Sequence, residues 1–248
     1  MTDAAKLADM IIKASFITFF GGAGVSTESG IPDFRSADGL FHQHQPIPPE
    51  EILSHVFFMK QPLIFYQYYR KNLLAPDALP NAAHKTLAQL ERFGKVRCVI
   101  TQNIDGLHQQ AGSKTVLELH GSTQRNYCLS CGKIYSLEYI LNFSPLPLCS
   151  CGGLIRPDVV LYGEELDQRV IQDAVRHIQS SDLLIIGGTS LSVYPAAGFA
   201  RLCQGSLAII NRDSTPMDSQ ADLVIRAPIG QTLKAVLEII NHPDVWLT

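Results

Sequence analysis

The chain has 248 residues, 46% of them hydrophobic, which is enough for one large core with a smaller satellite. Its formal net charge is -3, and its Lys and Arg residues are scattered, which argues against a basic face for nucleic acid. The apolar runs are far shorter than the ~20 residues of a membrane span. Residues 1–15 mix acidic and basic side chains, so no signal peptide is predicted there. We therefore expect a cytoplasmic protein whose polymer partners, if any, are proteins.

The pattern along the chain predicts a helix over residues 1–15, followed by short apolar runs typical of strands buried on both faces of a sheet. Helical patterns separate several of these runs. This alternation predicts an α/β fold with a Rossmann-like, doubly wound parallel sheet. The predicted strands are 16–20, 96–100, 116–119, 183–186, 207–210 and 223–225, and the predicted helices between them are 81–93, 167–180 and 194–204.

Two stretches interrupt this alternation. Residues 36–80 are rich in Pro, His and aromatic side chains, with a helical pattern over 52–74, and residues 124–156 contain a cluster of cysteines. We interpret both as insertions that form a smaller lobe, one a helical module and the other a zinc module. The large domain then comprises 1–35, 81–123 and 157–248. Ligands of open α/β sheets bind at the carboxyl ends of the strands, so an inserted lobe there would cover a cleft.

A glycine-rich turn, GGAGVST over residues 21–27, follows the first predicted strand. Such a turn lets backbone N–H groups approach a pyrophosphate, which the start of a following helix favours. A purely structural turn is the alternative, because Thr27 stands where the third glycine of the GxGxxG fingerprint belongs. The sequence also lacks the acidic residue expected about twenty positions later, which disfavours an ordinary dehydrogenase.

Polar residues follow the next two predicted strands. Gln102, Asn103 and Asp105 come after the strand 96–100, and His120 ends the run 116–119. At strand ends such side chains can converge on a ligand, and histidine is well suited to accept a proton near neutral pH. The alternatives are ordinary turn formers and a structural histidine.

Four of the six cysteines form two close pairs, Cys128 with Cys131 and Cys149 with Cys151. Four thiolates suit a tetrahedral Zn²⁺ and leave no open coordination position, so the predicted zinc is structural. Four free thiols are the alternative. The second pair is CxC, which requires a tighter turn than CxxC. Cys98 and Cys203 lie on apolar segments and are expected in the core.

In order along the chain, these motifs closely resemble the sirtuin family, with the short termini of its bacterial members. The resemblance spans roughly residues 7–240. It departs from the family's usual pattern in the CxC pair and at Tyr162, where the family commonly has Phe. The segments that carry it are GAGVS at 22–26, GIPDFR at 30–35, NAAH at 81–84, TQNIDGLH at 101–108, LHG at 119–121, RPDVVLYGE at 156–164 and GTSLSV at 188–193.

The resemblance implies an NAD-dependent protein-lysine deacylase. In sirtuins the acyl-lysine oxygen attacks the ribose of NAD as nicotinamide leaves, and O-acetyl-ADP-ribose is released. His120 would be the general base for the later attack on the alkylamidate intermediate. Asn103 would hold the ribose or a water, while Asp105 and the Ile104 backbone would bind the nicotinamide carboxamide.

The same resemblance assigns binding residues and one structural zinc on the four cysteines. The expected cofactor-binding residues are Gly22, Ala23, Gly24, Ser26, Phe34, Arg35, Gln102, Asn103, Ile104, Asp105, Gly188, Thr189, Ser190, Asn211 and Ile229. A substrate peptide would lie as an added strand between 159–163 and 188–193. The expected substrate-binding residues are Val160, Tyr162, Gly163, Ser192 and Tyr66.

Acyl preference depends on the helix that carries Tyr66. Sirtuins that prefer succinyl or malonyl groups have a Tyr-x-x-Arg pair, whose Arg binds the extra carboxylate. Here Tyr69 stands at the Arg position, and Arg70 comes one residue late. One residue turns a helix by about 100°, so Arg70 should point away from the site that Tyr66 lines. Without that Arg to bind a second carboxylate, we expect acetyl or longer neutral acyl substrates.

Other functions are open at this point. The alternatives are desuccinylation or demalonylation, protein ADP-ribosylation and non-catalytic NAD binding. A zinc-ribbon nucleic-acid binder is a further alternative, which the acidic net charge disfavours. The chain is expected to act as a monomer on acyl-lysine proteins or peptides, without a membrane or a specific nucleic acid.

Overall fold

The computed structural model describes residues 1–34, 39, 46–143, 145–192 and 196–242. Arg35, an expected cofactor ligand, lies outside them. The strands are β1 (Ile17–Gly21), β2 (Val96–Thr101), β3 (Val116–Glu118), β4 (Gly121–Cys128), β5 (Ile134–Ser136), β6 (Ile155–Val159), β7 (Leu183–Gly187), β8 (Ser206–Ile210) and β9 (Leu223–Ile225). The helices are α1 (Asp3–Lys13), α2 (Pro49–Ile52), α3 (His55–Lys60), α4 (Pro62–Asn72), α5 (Ala82–Arg92), α6 (Leu107–Ala111), α7 (Leu137–Asn142), α8 (Gln168–Gln179), α9 (Ala196–Phe199) and α10 (Ile229–Ile240).

The main sheet has six parallel strands in the order β3-β2-β1-β7-β8-β9. All six correspond to apolar runs in the sequence, so the predicted doubly wound α/β fold is confirmed. From β1 the chain builds outward first through β2 and β3, and later on the opposite side through β7 to β9. The strand order therefore switches between β1 and β7, and a crevice opens beyond the carboxyl ends of those two strands.

Apolar side chains cover both faces of this sheet, because strands of a parallel sheet are buried on both sides. On one face the core contains Leu7 of α1, Leu87 of α5 and Leu233 of α10, and on the other it contains Ala174 and Ile178 of α8. Cys98 is fully buried within this second cluster, and Cys203 packs against it, as expected.

A third apolar cluster belongs to the smaller lobe. It joins side chains of α2, α3 and α4 to those of the antiparallel sheet β5-β4-β6. The fold thus contains the predicted inserted lobe, with its helical and cysteine-containing parts packed on each other. The domain boundaries themselves remain a prediction.

The structure adds local detail to two features of the sequence. The stretch with a helical pattern over 52–74 contains separate helices: α3 starts after the N-cap Ser54, which accepts a hydrogen bond from Phe57 N–H, and α4 starts at Pro62. Pro62 lacks an N–H group and therefore suits only a first helical turn. In addition, the glycine loop continues into two 3-10 turns, Ala23–Val25 and Thr27–Ser29, and not into an α-helix. Within the described residues, no helix is both long and apolar enough to cross a membrane.

Candidate active site

A cavity of about 990 Å³ opens between the carboxyl ends of the main-sheet strands and the smaller lobe. Most of the residues predicted to bind cofactor or substrate line it. These are Gly22, Ala23, Gly24, Ser26, Phe34, Gln102, Asn103, Ile104, Asp105, His120, Val160, Tyr162, Gly163, Gly188, Thr189, Ser190, Asn211 and Ile229. The chain segments that follow β1, β2, β7 and β8 thus converge on one space.

The glycine loop and the turn after β7 approach so closely that neither can carry a side chain at the point of contact. Gly24 N–H donates to Gly188 O at 2.8 Å. A Cβ on Gly24 would lie 2.8 Å from Gly188 Cα, and one on Gly188, at φ 58°, would lie 2.3 Å from Val25 N. Leu191 also adopts a positive φ, 53°. A non-glycine residue in this conformation is strained, as often seen near functional sites.

A buried polar network connects this loop to the segment after β2. The Ser26 hydroxyl donates to Asp105 Oδ2 at 2.7 Å and accepts from Asn103 Nδ2 at 3.1 Å. The other Asp105 oxygen accepts from Leu107 N–H at 2.9 Å. Both oxygens of Asp105 are therefore held, and its side chain has one orientation at the cavity wall.

His84 extends the network behind Ser26, a role that the sequence did not reveal. Its Nδ1 accepts from Asn81 N–H at 3.3 Å, so the neutral ring carries its proton on Nε2, 3.5 Å from Ser26 Oγ. Burial lowers the pKa of His84 to about 4, and the charge of Asp105 opposes this only partly. The His108 ring packs edge-on at 4.7 Å, and burial lowers the pKa of His108 to about 3. Both rings are neutral at physiological pH.

His120 lies between β3 and β4 with its tautomer fixed. Its Nδ1 is 2.8 Å from Gln102 O, a carbonyl that can only accept, so Nδ1 carries the proton and Nε2 has the free lone pair. Burial lowers the pKa of His120, and this hydrogen bond raises it to a smaller extent. Gly121, at φ 76°, permits the turn, since a Cβ there would lie 2.0 Å from Asp158 O. His120 is thus a neutral, oriented proton acceptor at the cavity wall.

The model of the family described as Sir2 matches residues 22–195. This chain belongs to the Sir2 family. A protein named NAD-dependent protein deacetylase from Clostridium acetobutylicum is 52% identical over 237 residues, covering 94% of this chain and 97% of the relative. One of the same name from Cutibacterium acnes is 53% identical over 234 residues, covering 93% and 96%.

Solved Sir2 structures have the same fold. One with a deacetylated p53 peptide and 3'-O-acetyl ADP ribose has a TM-score of 0.89 at 37% identity, covering 96% of this chain and 98% of that one. Another, with a p53 peptide and NAD+, has a TM-score of 0.85 at 38% identity, with the same coverage. The predicted resemblance to sirtuins is confirmed.

Two expected substrate residues of this sirtuin do not line the cavity. The Tyr66 hydroxyl donates to Ile155 O in the small-lobe core, because Tyr66 lies one helical turn too early on α4. Tyr69, Asn72 and Leu73 line the cavity in its place. Their i, i+3, i+4 spacing was the available sequence signal. Ser192 is exposed, and its hydroxyl lies 3.4 Å from Ser190 O.

Arg70 is also directed away from the cavity of this sirtuin, as expected. Its guanidinium lies over the Tyr66 ring, 5.3 Å from the centroid, and donates to the carbonyl oxygens of Ile140, Phe143 and Pro145. These bonds tie α4 to the segment that follows α7. Arg70 is therefore occupied as a structural link and does not present its charge to a bound acyl group.

The segment after β6 forms the wall beside His120. Val160 N–H donates to His120 O at 2.9 Å, while Tyr162 N–H donates to Leu53 O at 3.0 Å. Glu164 accepts from the Arg156 guanidinium and from Leu161 N–H. This segment is thus fixed both to His120 and to the smaller lobe, which makes it a rigid surface for a substrate.

The cysteine cluster fits a tetrahedral metal. The Sγ atoms of Cys128, Cys131, Cys149 and Cys151 all lie within 4.8 Å of one another, and none of these cysteines forms a disulfide. The shortest separations, 3.5 Å for Cys128 to Cys151 and 3.6 Å for Cys131 to Cys149, are near the ~3.8 Å expected for Zn–S bonds of ~2.3 Å. The tight CxC turn closes through Gly152 N–H to Cys149 O, 2.9 Å. With no open position, the Zn²⁺ of this site is structural.

Removing one thiolate should destabilise the smaller lobe. The Cys131→Ser variant is expected to bind less than half a zinc per chain and to melt about 10 °C lower, because metal binding contributes directly to folding. Elemental analysis and thermal melting would measure both effects. Cys203→Ser, outside the cluster, is the control and should retain one zinc per chain. Wild-type protein with clearly substoichiometric zinc would contradict this assignment.

Proposed function

We propose that the chain is an NAD-dependent protein-lysine deacetylase that releases nicotinamide and O-acetyl-ADP-ribose. The single observation that carries this proposal is His120, a half-buried neutral histidine in the same cavity as the glycine loop. Its Nδ1 is bound to the Gln102 carbonyl, which leaves Nε2 free to accept a proton. The nearly full-length similarity to proteins named NAD-dependent protein deacetylase supports it.

Most of the residues at the site bind NAD, and His120 transfers the proton. The backbone of Gly22 to Gly24 can approach the phosphates of NAD, since no side chain intervenes. Asp105 and the backbone at Ile104 bind the nicotinamide carboxamide, and Asn103 holds the nicotinamide ribose. Asn211 and Ile229 lie beside the adenosine half. His120 accepts a proton relayed through the ribose hydroxyls, so no protein atom becomes acylated.

The substrate is an acyl-lysine peptide that lies beside the segments 159–163 and 188–192. Strand addition of that kind gains its affinity from hydrogen bonds to the peptide main chain, so selectivity for the peptide sequence is modest. Neutral acyl groups are favoured over succinyl or malonyl, because Arg70 donates to three backbone carbonyls and its charge is not available to bind a second carboxylate. We propose that this transferase acts in the cytoplasm, which is supported by its six cysteines, none of which forms a disulfide. Its action as a monomer stays a prediction.

The deciding experiment is mass spectrometry of one peptide in acetyl and succinyl forms with NAD. We expect free nicotinamide, deacetylated peptide and O-acetyl-ADP-ribose in equal amounts. Faster removal of succinyl would contradict the acyl preference. Nicotinamide release with a gain of ADP-ribose mass on protein would favour ADP-ribosylation. Binding of NAD without any nicotinamide release would indicate a non-catalytic module.

The pH profile should reflect His120. Burial lowers its pKa, so the neutral, proton-accepting form persists below the ordinary histidine value of about 6.5. We therefore expect the acidic limb of the kcat/KM profile to have its midpoint below about pH 6.5. His84 and His108 remain neutral near pH 6.5 and above, so they do not add a second titration to the kcat/KM profile in that range. A half-maximal rate at or above pH 7 would contradict the expectation.

A further inference from the structure

Strand β4, which begins directly after His120, contains a bulge. Its pairing with β6 moves from Ser122 to Asn126 with a shift of register between them. Within the described residues, Thr123 and Gln124 pair with no residue of β5 or β6. A bulge bends its strand and redirects the side chains that it carries, and bulges are over-represented next to active sites. The question is what these two residues contact instead.

The bulge directs Thr123 at the segment that follows β2. The Thr123 N–H donates to Ile104 O at 2.9 Å, and the Thr123 hydroxyl donates to the same oxygen at 3.0 Å. Gln124 approaches the next carbonyl, with its Nε2 at 3.5 Å from Asp105 O. Thr123 is buried behind the cavity wall, which Ile104 and Asp105 line. Strand β4 therefore holds from behind the backbone that is proposed to bind nicotinamide.

The two hydrogen bonds from Thr123 saturate the Ile104 carbonyl. A carbonyl oxygen has two lone pairs, and both are occupied here. The peptide unit between Ile104 and Asp105 is thus fixed, and it can offer a ligand its N–H group but not its oxygen. A carboxamide has an acceptor and a donor, so its oxygen can accept from this backbone while its NH2 group donates to the Asp105 carboxylate. Hydrogen bonds to the carbonyl also polarise the peptide unit, which strengthens its N–H as a donor.

We propose that Thr123 is a positioning residue that sets the affinity of the site for nicotinamide. It acts through Ile104, and its hydroxyl is the decisive group, because the N–H of residue 123 is present with any of these side chains. A valine there would leave one lone pair of the Ile104 oxygen empty, and the peptide unit could turn about the remaining hydrogen bond. The inference rests on the proposed deacylase function and adds a determinant of nicotinamide binding to it.

The test is the exchange of labelled nicotinamide into NAD in the presence of an acetylated peptide. In this reaction the labelled nicotinamide displaces the acyl oxygen from the ribose carbon, so that NAD and acetyl-lysine are formed again. For Thr123→Val we expect the KM for nicotinamide to rise about fivefold, as for the loss of one hydrogen bond. The KM for NAD should change less than about twofold, because the phosphates and the adenosine supply most contacts of NAD. The inhibition constant of nicotinamide in deacetylation should rise by the same factor as its KM.

Two further variants isolate the hydroxyl. Thr123→Ser retains it and should keep the wild-type KM for nicotinamide. Thr86→Val is the matched control, because Thr86 is similarly buried and its hydroxyl donates to Leu233 O between α5 and α10, away from the cavity. If Thr123→Val does not fold, Thr123→Ala compared with Thr123→Ser again differs only in the hydroxyl.

The outcomes distinguish the inference from the proposed function. A wild-type KM for nicotinamide in Thr123→Val, or a Thr123→Ser enzyme as impaired as Thr123→Val, would overturn the inference while leaving deacylation intact. Equal rises in the KM for nicotinamide and for NAD would also overturn it, since they would indicate a general loosening of the site. A wild type that neither exchanges nicotinamide nor removes acetyl groups would refute the proposed function itself.

Discussion

The His120→Ala variant is expected to lose deacetylation by about 10²- to 10⁴-fold in kcat/KM, the range for removing a positioned general base. The structure supplies the reason. The substitution removes the whole imidazole, whose Nδ1 is bound to Gln102 O and whose Nε2 is the proton acceptor. No other histidine lines the cavity within the described residues. The measurement is steady-state release of deacetylated peptide by mass spectrometry.

Two controls separate proton transfer from binding and folding. His177→Ala removes a half-buried histidine of α8 that packs against Phe16, outside the cavity, and should leave kcat/KM within about twofold because it is remote from the site. NAD binding to His120→Ala, measured calorimetrically, should remain, because His120 is proposed to act after nicotinamide has left. Exchange of labelled nicotinamide into NAD should therefore fall much less than deacetylation. Equal loss of both activities would contradict this order of steps.

The six main-sheet strands and the residues at their ends could be predicted because each depends on local sequence. An apolar run such as 183–186, bounded by turn residues, is typical of a strand buried on both faces. Parallel strands then bring their carboxyl ends to one edge of the sheet. The placement of Gln102, Asn103, Asp105 and His120 at one cavity follows from that rule. The family motifs then supplied roles that the polar residues alone did not define.

Other features depended on packing between segments distant in sequence. Tyr66 and Tyr69 lie on the same side of α4, and nothing local indicates how far along the helix the cavity extends. Tyr66 does not reach the cavity, because its hydroxyl donates to the carbonyl oxygen of Ile155 in β6. The contact of His84 with Ser26 also depends on tertiary packing, since the two residues are 58 positions apart in sequence. Neither pairing has a periodic signature.

The Asp105→Asn variant is expected to slow nicotinamide release by about 10²-fold, comparable to the loss of one preorganised polar contact. The substitution preserves shape but not hydrogen bonding. Leu107 N–H can only donate, so the amide oxygen of the new side chain must face it, and the amide nitrogen then faces Ser26. Ser26 already accepts from Asn103, and its own proton loses its acceptor. The carboxylate charge beside the proposed site of bond breaking is also lost.

Initial rates of nicotinamide release at saturating peptide would measure the effect, with Asp173→Asn in an exposed ion pair on α8 as the matched control. A double-mutant cycle with Ser26→Ala tests the cause. Because Ser26 and Asp105 share a hydrogen bond of 2.7 Å, the two substitutions should be non-additive by about 1 kcal/mol or more. Strict additivity would mean that Asp105 acts independently of Ser26, and its carboxylate charge alone would then account for the loss.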